Sequence, residues 1–249
     1  MINLSQVREE HTWGVYFPLD QHTDYRYARF EIGAGQEGDI RPHVERFGAL
    51  YVVSGLGRVS CKGLSSVLNA GGSEFFAFRR LDEIRISTEG GMILQGISVD
   101  DDPEVLREGY RVDKSTAWGP GGEELWLQWT ARNCFKRIVL PAGRITSLQY
   151  HRQKYETNFI QEGRARIYRG PLIERASPEE TLTATKGGLE IVEGGPGDFF
   201  PVPVGLVHRV EALTDLVLLE ASTTHVDDVV RLEDATGRGD GRIASEHKI

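Results

Sequence analysis

The two halves of this chain carry the same landmarks, and this internal repeat restricts the fold more than any other feature. The landmarks recur in the same order: Trp13-Gly14 with Trp118-Gly119, Gly35 with Gly143, and Gly55 with Gly163. Solenoid repeats have periods of roughly 20–50 residues. A repeat spanning half of a 249-residue chain therefore indicates a duplicated domain. We predict two domains, residues 1–107 and 108–249.

Short strand-like stretches separated by turn residues dominate both halves, and long helical periodicity is absent. The clearest are Tyr27–Ile32, Leu50–Ser54, Arg58–Cys61, Ile84–Ser87, Met92–Val99, Phe135–Leu140, Asn158–Gln161, Ala165–Tyr168 and Leu216–Glu220. The pattern predicts an all-β protein made of jelly-roll β-barrels.

Two segments interrupt the strands. Residues 99–112 are interpreted as the join between the halves, with Asp102-Pro103 starting a short helix. An insertion at residues 171–193 contains Ser177-Pro178-Glu179-Glu180, which predicts a capped short helix. We interpret the insertion as a surface excursion near a barrel mouth, with a lid as the alternative.

Residues 143–163 hold the candidate metal ligands of the second half. Gln149 and His151 are two apart, so on a strand they point to the same face. Glu156 must return from the next strand or turn. Downstream, in GDFFPVPVGLVH, Pro and Gly form a tight corner that can aim His208 back into the sheet. Two imidazoles, one carboxylate and one amide oxygen suit a divalent metal.

This spacing resembles the two cupin motifs, with Gln149 where most cupins have their first His. Ser147-Leu148-Gln149 resembles the metal-binding strand of type II mannose-6-phosphate isomerases, and HVDDVVRLEDATGR resembles the segment after that family's last core strand. The resemblance covers residues 118–238 and implies two tandem cupin domains. The second would bind one divalent ion, with zinc favoured over iron, manganese or nickel, through four ligands: Gln149, His151, Glu156 and His208.

The resemblance also implies a metal-dependent isomerase or epimerase acting on a small phosphorylated sugar. Glu220 and Arg231 match a Glu and an Arg that lie beside the metal in that family, as catalytic residues. Lys136 and Lys154 are candidates for binding the substrate's phosphate.

Each of these residues also has a purely structural interpretation. Glu220 could be a strand-end carboxylate in water, and Lys154 a solvated loop charge. Arg231 could pair with a neighbouring acid: Asp227, Asp228 or Glu233.

The chain departs from the type II pattern at several places. Asn158 stands where that pattern has Trp, Ala212 replaces the Asn that commonly follows the last His, and the first half replaces a nucleotidyltransferase domain. A different sugar or polyol substrate is therefore compatible with the motif. Two other functions stay open: an iron-dependent cupin oxygenase and a non-catalytic, sugar-binding bicupin.

The first half lacks the ligand set. Counted from Gly35, the ligand places fall on Arg41, His43 and Gly48, and the last falls on Glu83 or Ile84. We therefore predict a degenerate barrel without metal, in which Arg41 and His43 could still bind an anion.

Composition restricts the partners. The net charge of −8 argues against nucleic acid and anionic membranes, both of which favour basic surfaces. Only Cys61 and Cys134 are present, which predicts a reducing compartment without disulfides. The N-terminus carries no secretion signal, so we expect a cytoplasmic protein that binds a small sugar or sugar phosphate. A homodimer is compatible with the sequence.

Overall fold

The computed structural model describes residues 1–61, 64–69, 75–79, 84–101, 103–174, 177–185 and 188–246. The first half contains β1 (Ile2–Asn3), β2 (Glu9–His11), β3 (Gly14–His22), β4 (Tyr25–Ile32), β5 (Glu37–Asp39), β6 (Phe47–Cys61), β7 (Leu64–Asn69), β8 (Phe75–Arg79), β9 (Ile84–Ser87), β10 (Met92–Val99) and β11 (Val105–Asp113). Short 3-10 helices cover Leu4–Gln6 and Arg41–His43.

The second half begins with α1 (Ser115–Trp118). It continues with β12 (Glu123–Thr130), β13 (Asn133–Leu140), β14 (Leu148–His151), β15 (Glu156–Glu162), β16 (Ala165–Leu172), α2 (Pro178–Thr185), β17 (Glu190–Gly194), β18 (Asp198–Val202), β19 (Leu206–Ala212), β20 (Leu216–Thr223) and β21 (Val229–Glu233).

The chain divides into two compact units. The N-terminal unit comprises Asn3–Glu108 and Leu127–Phe135, and the C-terminal unit comprises Met1–Ile2, Gly109–Trp126 and Lys136–Ile249. The all-β prediction is confirmed. The boundary between residues 107 and 108, and the arrangement as two tandem barrels, stay predictions.

The N-terminal unit is organised around one long strand, β6. Its sheet runs β2-β3-β4-β10-β6-β9-β5, and β7 and β8 also pair with β6. The sequence predicts two strands here, Leu50–Ser54 and Arg58–Cys61, whereas the structure has one. Gly55 has φ of +87°, and a Cβ there would lie 2.2 Å from the carbonyl oxygen of Gly91. This glycine therefore permits a close approach to β10 instead of ending the strand.

Two sheets form the C-terminal unit's core. One has the order β1-β18-β15-β20-β13-β12-β11, and the other β17-β16-β19-β14-β21. Alternate residues of both sheets point inward and pack together, as expected for a sandwich. This core includes Ile138, Leu140, Ile160, Ile167, Phe200, Val202, Val210 and Leu218.

The two interrupting segments have different outcomes. The predicted join contains the passage between the two units, at Glu108–Gly109, and its residues from 105 onward belong to β11. The helix start predicted at Asp102-Pro103 falls partly on Asp102, which lies outside the described residues. The helix in the insertion is confirmed as α2. Ser177 caps it reciprocally: the Glu180 backbone N–H donates to Ser177 Oγ at 3.3 Å, and the Ser177 N–H donates to Glu180 Oε2 at 3.0 Å.

The insertion packs behind the sheet that carries the candidate ligands. Its Leu182 and Leu189 contact a cluster that contains Leu148 and Tyr150. These two residues alternate with Gln149 and His151 along β14, so they point to the opposite face. The described part of the insertion is therefore not a lid over the ligands. Within the described ranges, no helix is both long and apolar enough to cross a bilayer.

Candidate metal centre

Strand β14 lies between β19 and β21, and this position brings distant residues together. Gln149 is the register partner of His208 on one side and of Arg231 on the other. His151 lies two residues along β14 and shares the face of Gln149. One sheet therefore carries three of the predicted ligands and the predicted catalytic arginine.

The facing sheet supplies the carboxylates. Glu156 begins β15, and Asn158 follows two residues later on the same face. Glu220 of β20 is the register partner of Asn158. A cavity of about 130 Å³ in the C-terminal unit is lined by all eight predicted site residues: Lys136, Gln149, His151, Lys154, Glu156, His208, Glu220 and Arg231.

His151, Glu156 and His208 form a cluster with metal-binding potential. Their candidate ligand atoms all lie within 4.8 Å of one another. The Nε2 atom of His151 is 3.6 Å from Glu156 Oε2, and that of His208 is 3.5 Å from Glu156 Oε1. All three residues are buried. Buried His151 Nε2 has no hydrogen-bond partner among the described residues. An unused donor atom inside a set of two imidazoles and one carboxylate fits a divalent ion.

Each imidazole is held by its other nitrogen. Nδ1 of His151 lies 2.9 Å from Asp228 Oδ1, and Nδ1 of His208 lies 2.9 Å from the Leu206 carbonyl oxygen. If each Nδ1–H donates to its oxygen, each Nε2 lone pair is free for a metal in the cavity. Histidine ligands in metal sites usually donate their other ring N–H to a carboxylate or a carbonyl in this way. Burial, with the nearby Lys154 ammonium, lowers the pKa of His151 and favours the neutral ring that ligation requires.

The predicted corner before His208 is confirmed. The Leu206 N–H donates to the Pro203 carbonyl at 3.0 Å, and Gly205 has φ of +81°. The Gly205 N–H donates to the His151 carbonyl at 2.8 Å, so the corner is fastened to β14. A Cβ on Gly205 would lie 2.5 Å from the Ile173 carbonyl oxygen, so a larger residue would be excluded.

Lys154 is not the solvated loop charge of the alternative interpretation. Its side chain is 4 % exposed, and its ammonium donates to both Glu156 and Glu220, the latter at 2.7 Å. Burial raises the pKa of Glu156, but Lys154, His208 and His151 together hold that pKa well below its usual range. Asn158 Nδ2 donates to the second oxygen of Glu156 at 3.0 Å. The Glu156 carboxylate is therefore held in place from both sides.

A second buried lysine extends this charge network. Lys136 Nζ lies 3.5 Å from Glu220 Oε1 and 4.4 Å from the centre of the Trp126 ring. Burial would raise the pKa of Glu124, but Lys114 and Lys136 lower it to about 2. Glu220 is consequently a buried, paired carboxylate, and its interpretation as a strand-end group in water is wrong.

Gln149 and Arg231 reach the cavity in different ways. The amide oxygen of Gln149 accepts from Ser147 Oγ at 2.6 Å, and its role as a ligand stays a prediction. Arg231 Nη1 donates to the carbonyl oxygens of Gly239 and Gly241, the latter at 2.8 Å. No ion pair joins Arg231 to Asp227, Asp228 or Glu233 in the part of the chain that the structure describes.

Several solved structures with a similar fold are oxalate decarboxylases. One of these enzymes was studied for its substrate binding mode and reaction specificity switch. It has a TM-score of 0.62 and 15% sequence identity, and the match covers 93% of this chain and 78% of the oxalate decarboxylase chain. The Lactobacillus farciminis enzyme in complex with formate has a TM-score of 0.62 at 11% identity, covering 93% and 88%. The Bacillus subtilis enzyme, studied for its Mn(II) centres, has a TM-score of 0.61 at 13% identity, covering 93% and 78%. The chain has a cupin fold.

At these identities the cupin likeness shows the fold alone. No protein-family model matches the sequence, and no curated protein is similar to it. The resemblance to type II mannose-6-phosphate isomerases has no counterpart in these comparisons, and it stays an interpretation of the motif.

Sequence reasoning missed several residues of this cupin cavity. Lys114, Glu124 and Trp126 line it, as does Glu246 near the C-terminus. Asp228 was considered only as a partner of Arg231, although it holds His151. The only feature of the sequence that pointed to Asp228 was its position in the segment HVDDVV, which resembles the segment after the last core strand of type II mannose-6-phosphate isomerases. Lys114 and Glu246 carry no local signal because they are 132 positions apart in the chain.

In the N-terminal unit, the positions that correspond to the ligands of the second half do not form a similar set of donors. His43 lies among aromatic rings: its centroid is 4.2 Å from that of Tyr16 and 4.6 Å from that of His11. Arg41 pairs with Asp39 at 2.5 Å. At Gly48, a Cβ would lie 2.1 Å from the Ile97 carbonyl oxygen.

The last ligand place of the first half offers no donor in the described residues. Ile84 is fully buried in the core, and Glu83, the other alignment, lies outside the described residues.

We expect no metal in the N-terminal unit, because the imidazoles of His43 and His11 lie among aromatic rings, and no further donor among the described residues completes a metal-binding cluster with them. The His43→Ala variant should bind as much metal per chain as the parent protein, measured by elemental analysis. Anomalous scattering should give no peak beside His43. A peak there, or a loss of about half the metal in the variant, would refute the expectation.

Proposed function

We propose that the C-terminal unit interconverts the aldose and ketose, or C2-epimeric, forms of a small phosphorylated sugar with the help of one divalent ion. One observation carries the proposal: Glu220, a buried carboxylate, lines the same cavity as the three clustered metal-type side chains. A base and a metal-binding set in one shielded cavity are the two components that sugar isomerisation needs.

His151, Glu156 and His208 would hold the ion, with Gln149 as a neutral fourth ligand. When bound, the ion supplies Lewis acidity towards substrate oxygens. Zinc is our expectation because it would accept the imidazole and carboxylate ligands and can expand from four to five ligands, which would leave a position for a substrate oxygen. Manganese, present in the Bacillus subtilis oxalate decarboxylase, is the main competitor.

Glu220 would move the proton. Its carboxylate takes the C2 proton of the substrate and returns it to C1, or to the other face of C2. In the aldose–ketose reaction the proton of the C2 hydroxyl moves to the C1 oxygen, and in C2 epimerisation no hydroxyl proton is transferred on balance. Neither reaction consumes an oxidant. Lys154, in the loop between β14 and β15, and Lys136, in β13, hold the Glu220 carboxylate in place. Arg231, whose guanidinium reaches the same cavity, would stabilise the negative charge that develops on the substrate oxygens.

An iron-dependent oxygenase is the second candidate, and the clustered side chains themselves favour it. Two imidazoles and one carboxylate also form the facial triad of non-haem iron oxygenases. The two functions differ in co-reactant, because an oxygenase consumes O₂ and an isomerase does not.

The test is solvent proton exchange. Metal-loaded protein is incubated in deuterated water with a panel of hexose and pentose phosphates, without O₂, and deuterium at C2 is followed by NMR. We expect exchange with at least one substrate. Exchange with none, combined with tight binding, would favour the non-catalytic sugar-binding function. Turnover that requires O₂ would favour the oxygenase.

Glu220→Gln should lower turnover of the identified substrate at least about 100-fold, because it removes the general base. Metal content should not change, since Glu220 lies outside the clustered ligands. Glu211→Gln is the matched control: this carboxylate accepts from Tyr168 and Arg166 and does not line the cavity. Retained turnover in Glu220→Gln would remove Glu220 from the mechanism.

A further inference from the structure

The C-terminal segment, residues 239–246, forms part of the cavity wall. Gly241, Arg242, Ile243 and Glu246 all line the cavity. The segment is attached to β21, because the Gly241 N–H donates to the Val229 carbonyl at 2.8 Å and Arg231 donates to the Gly241 carbonyl. A backbone hydrogen bond from Glu246 to Ile243, at 3.0 Å, then turns the chain inward.

Glu246 places a carboxylate between two cations. Its Oε2 lies 2.5 Å from Lys114 Nζ, and its Oε1 lies 3.3 Å from Arg238 Nη1. All three side chains are largely buried, with exposures of 8 % for Glu246, 7 % for Lys114 and 12 % for Arg238. A carboxylate is removed from water at a cost that only good pairing offsets. The two cations together offset this cost and hold the Glu246 carboxylate from both sides.

The cations do not depend on Glu246 for their positions. Lys114 also lies 3.5 Å from Glu124, and Arg238 also donates to Asp234 at 2.6 Å. Next to them, buried Arg231 Nε has no hydrogen-bond partner among the residues described. If Glu246 moved away, Lys114 and Arg238 would keep their orientation and offer free donors to another anion.

We propose that Lys114 and Arg238 form an anion subsite for the phosphate or carboxylate group of the substrate, and that Glu246 occupies this subsite in cis. This inference deepens the proposed function, on which it rests for the identity of the ligand. The subsite opens on the same cavity as Glu220 and His151, so an anionic end bound there would leave the rest of a sugar beside them. A tethered carboxylate competes at an effective concentration of the order of millimolar, so an external anion must displace it.

The test measures binding to the full-length, metal-loaded protein by calorimetry, which requires no turnover. The probes are inorganic phosphate, a hexose 6-phosphate, a hexuronate and the neutral hexose. Glu246→Ala should bind the phosphorylated or the carboxylated sugar about tenfold more tightly than the parent protein, because the internal competitor is gone. Affinity for the neutral hexose should not change. A gain confined to one anionic sugar identifies which group the subsite takes.

Three further variants make the result decisive. Glu246→Gln, which preserves side-chain size, should show the same gain if Glu246→Ala folds poorly. Adding Lys114→Gln to Glu246→Gln should reverse the gain, which separates the subsite from anion binding at the metal. Glu193→Gln, which breaks exposed pairs with Arg164 and Arg166, should have no effect.

An unchanged or lower affinity for every anion in both Glu246 variants would overturn the subsite. An equal gain for the neutral hexose would overturn it as well, since it would mean that the segment only blocks access. Because these are binding measurements, the subsite can stand when C2 exchange fails, and C2 exchange can occur when the subsite fails.

Discussion

Replacing both His151 and His208 with Ala is expected to lower the bound metal from about one ion per chain to below about 0.1, measured by elemental analysis after dialysis. The cluster offers two imidazoles and one carboxylate, and Glu156 with the neutral Gln149 cannot hold an ion through dialysis. Lys154 adds to the effect, because its ammonium already pairs with Glu156 and favours the metal-free arrangement once both imidazoles are absent.

The matched control replaces two other histidines, His22 and His225, with Ala. Neither lines the cavity, so this variant should keep its metal. Circular dichroism should show that both double variants are folded. A His151→Ala/His208→Ala protein that retains stoichiometric metal would show that the site lies elsewhere.

The second large effect is expected at Lys154. Its ammonium pairs with Glu156 and Glu220, and its side chain is 4 % exposed. Lys154→Met would leave two buried carboxylates without their shared cation. Removing one member of a buried ion pair typically costs about 3–5 kcal/mol. We expect the free energy of unfolding of the metal-free protein to fall by about that amount at neutral pH, measured by urea denaturation.

Metal should restore part of this loss, because an ion beside Glu156 replaces the missing positive charge. The gain in stability on adding metal should therefore be larger for Lys154→Met than for the parent protein. Arg164→Met is the control: Arg164 is 63 % exposed and pairs with Glu193 at the surface, so its loss should cost no more than about 1 kcal/mol. A Lys154→Met protein within about 1 kcal/mol of the parent would mean that the buried network adds little stability.

The sequence alone predicted eight of the residues that line the cavity, including the three clustered donors His151, Glu156 and His208. Alternation along β14 places Gln149 and His151 on one face because successive side chains on a strand point to opposite sides. The Pro-Gly corner determines how His208 approaches, since Gly205 adopts a left-handed φ that other residues rarely take. Strand bounds were predicted best where turn residues are unambiguous, as at Ile84–Ser87 and Met92–Val99.

The periodicity of the sequence could not predict how deeply a charged side chain is buried, or which distant residue it pairs with. Lys154 and Glu220 look like surface charges in the sequence, yet the packing of two sheets buries them together. The same holds for Glu246, which reaches Lys114 only because the C-terminal segment folds against β21. Alternation along a strand reports which face a side chain takes, not what lies opposite that face. In this protein, sequence determined the clustered donors, and tertiary structure decided the charges that surround them.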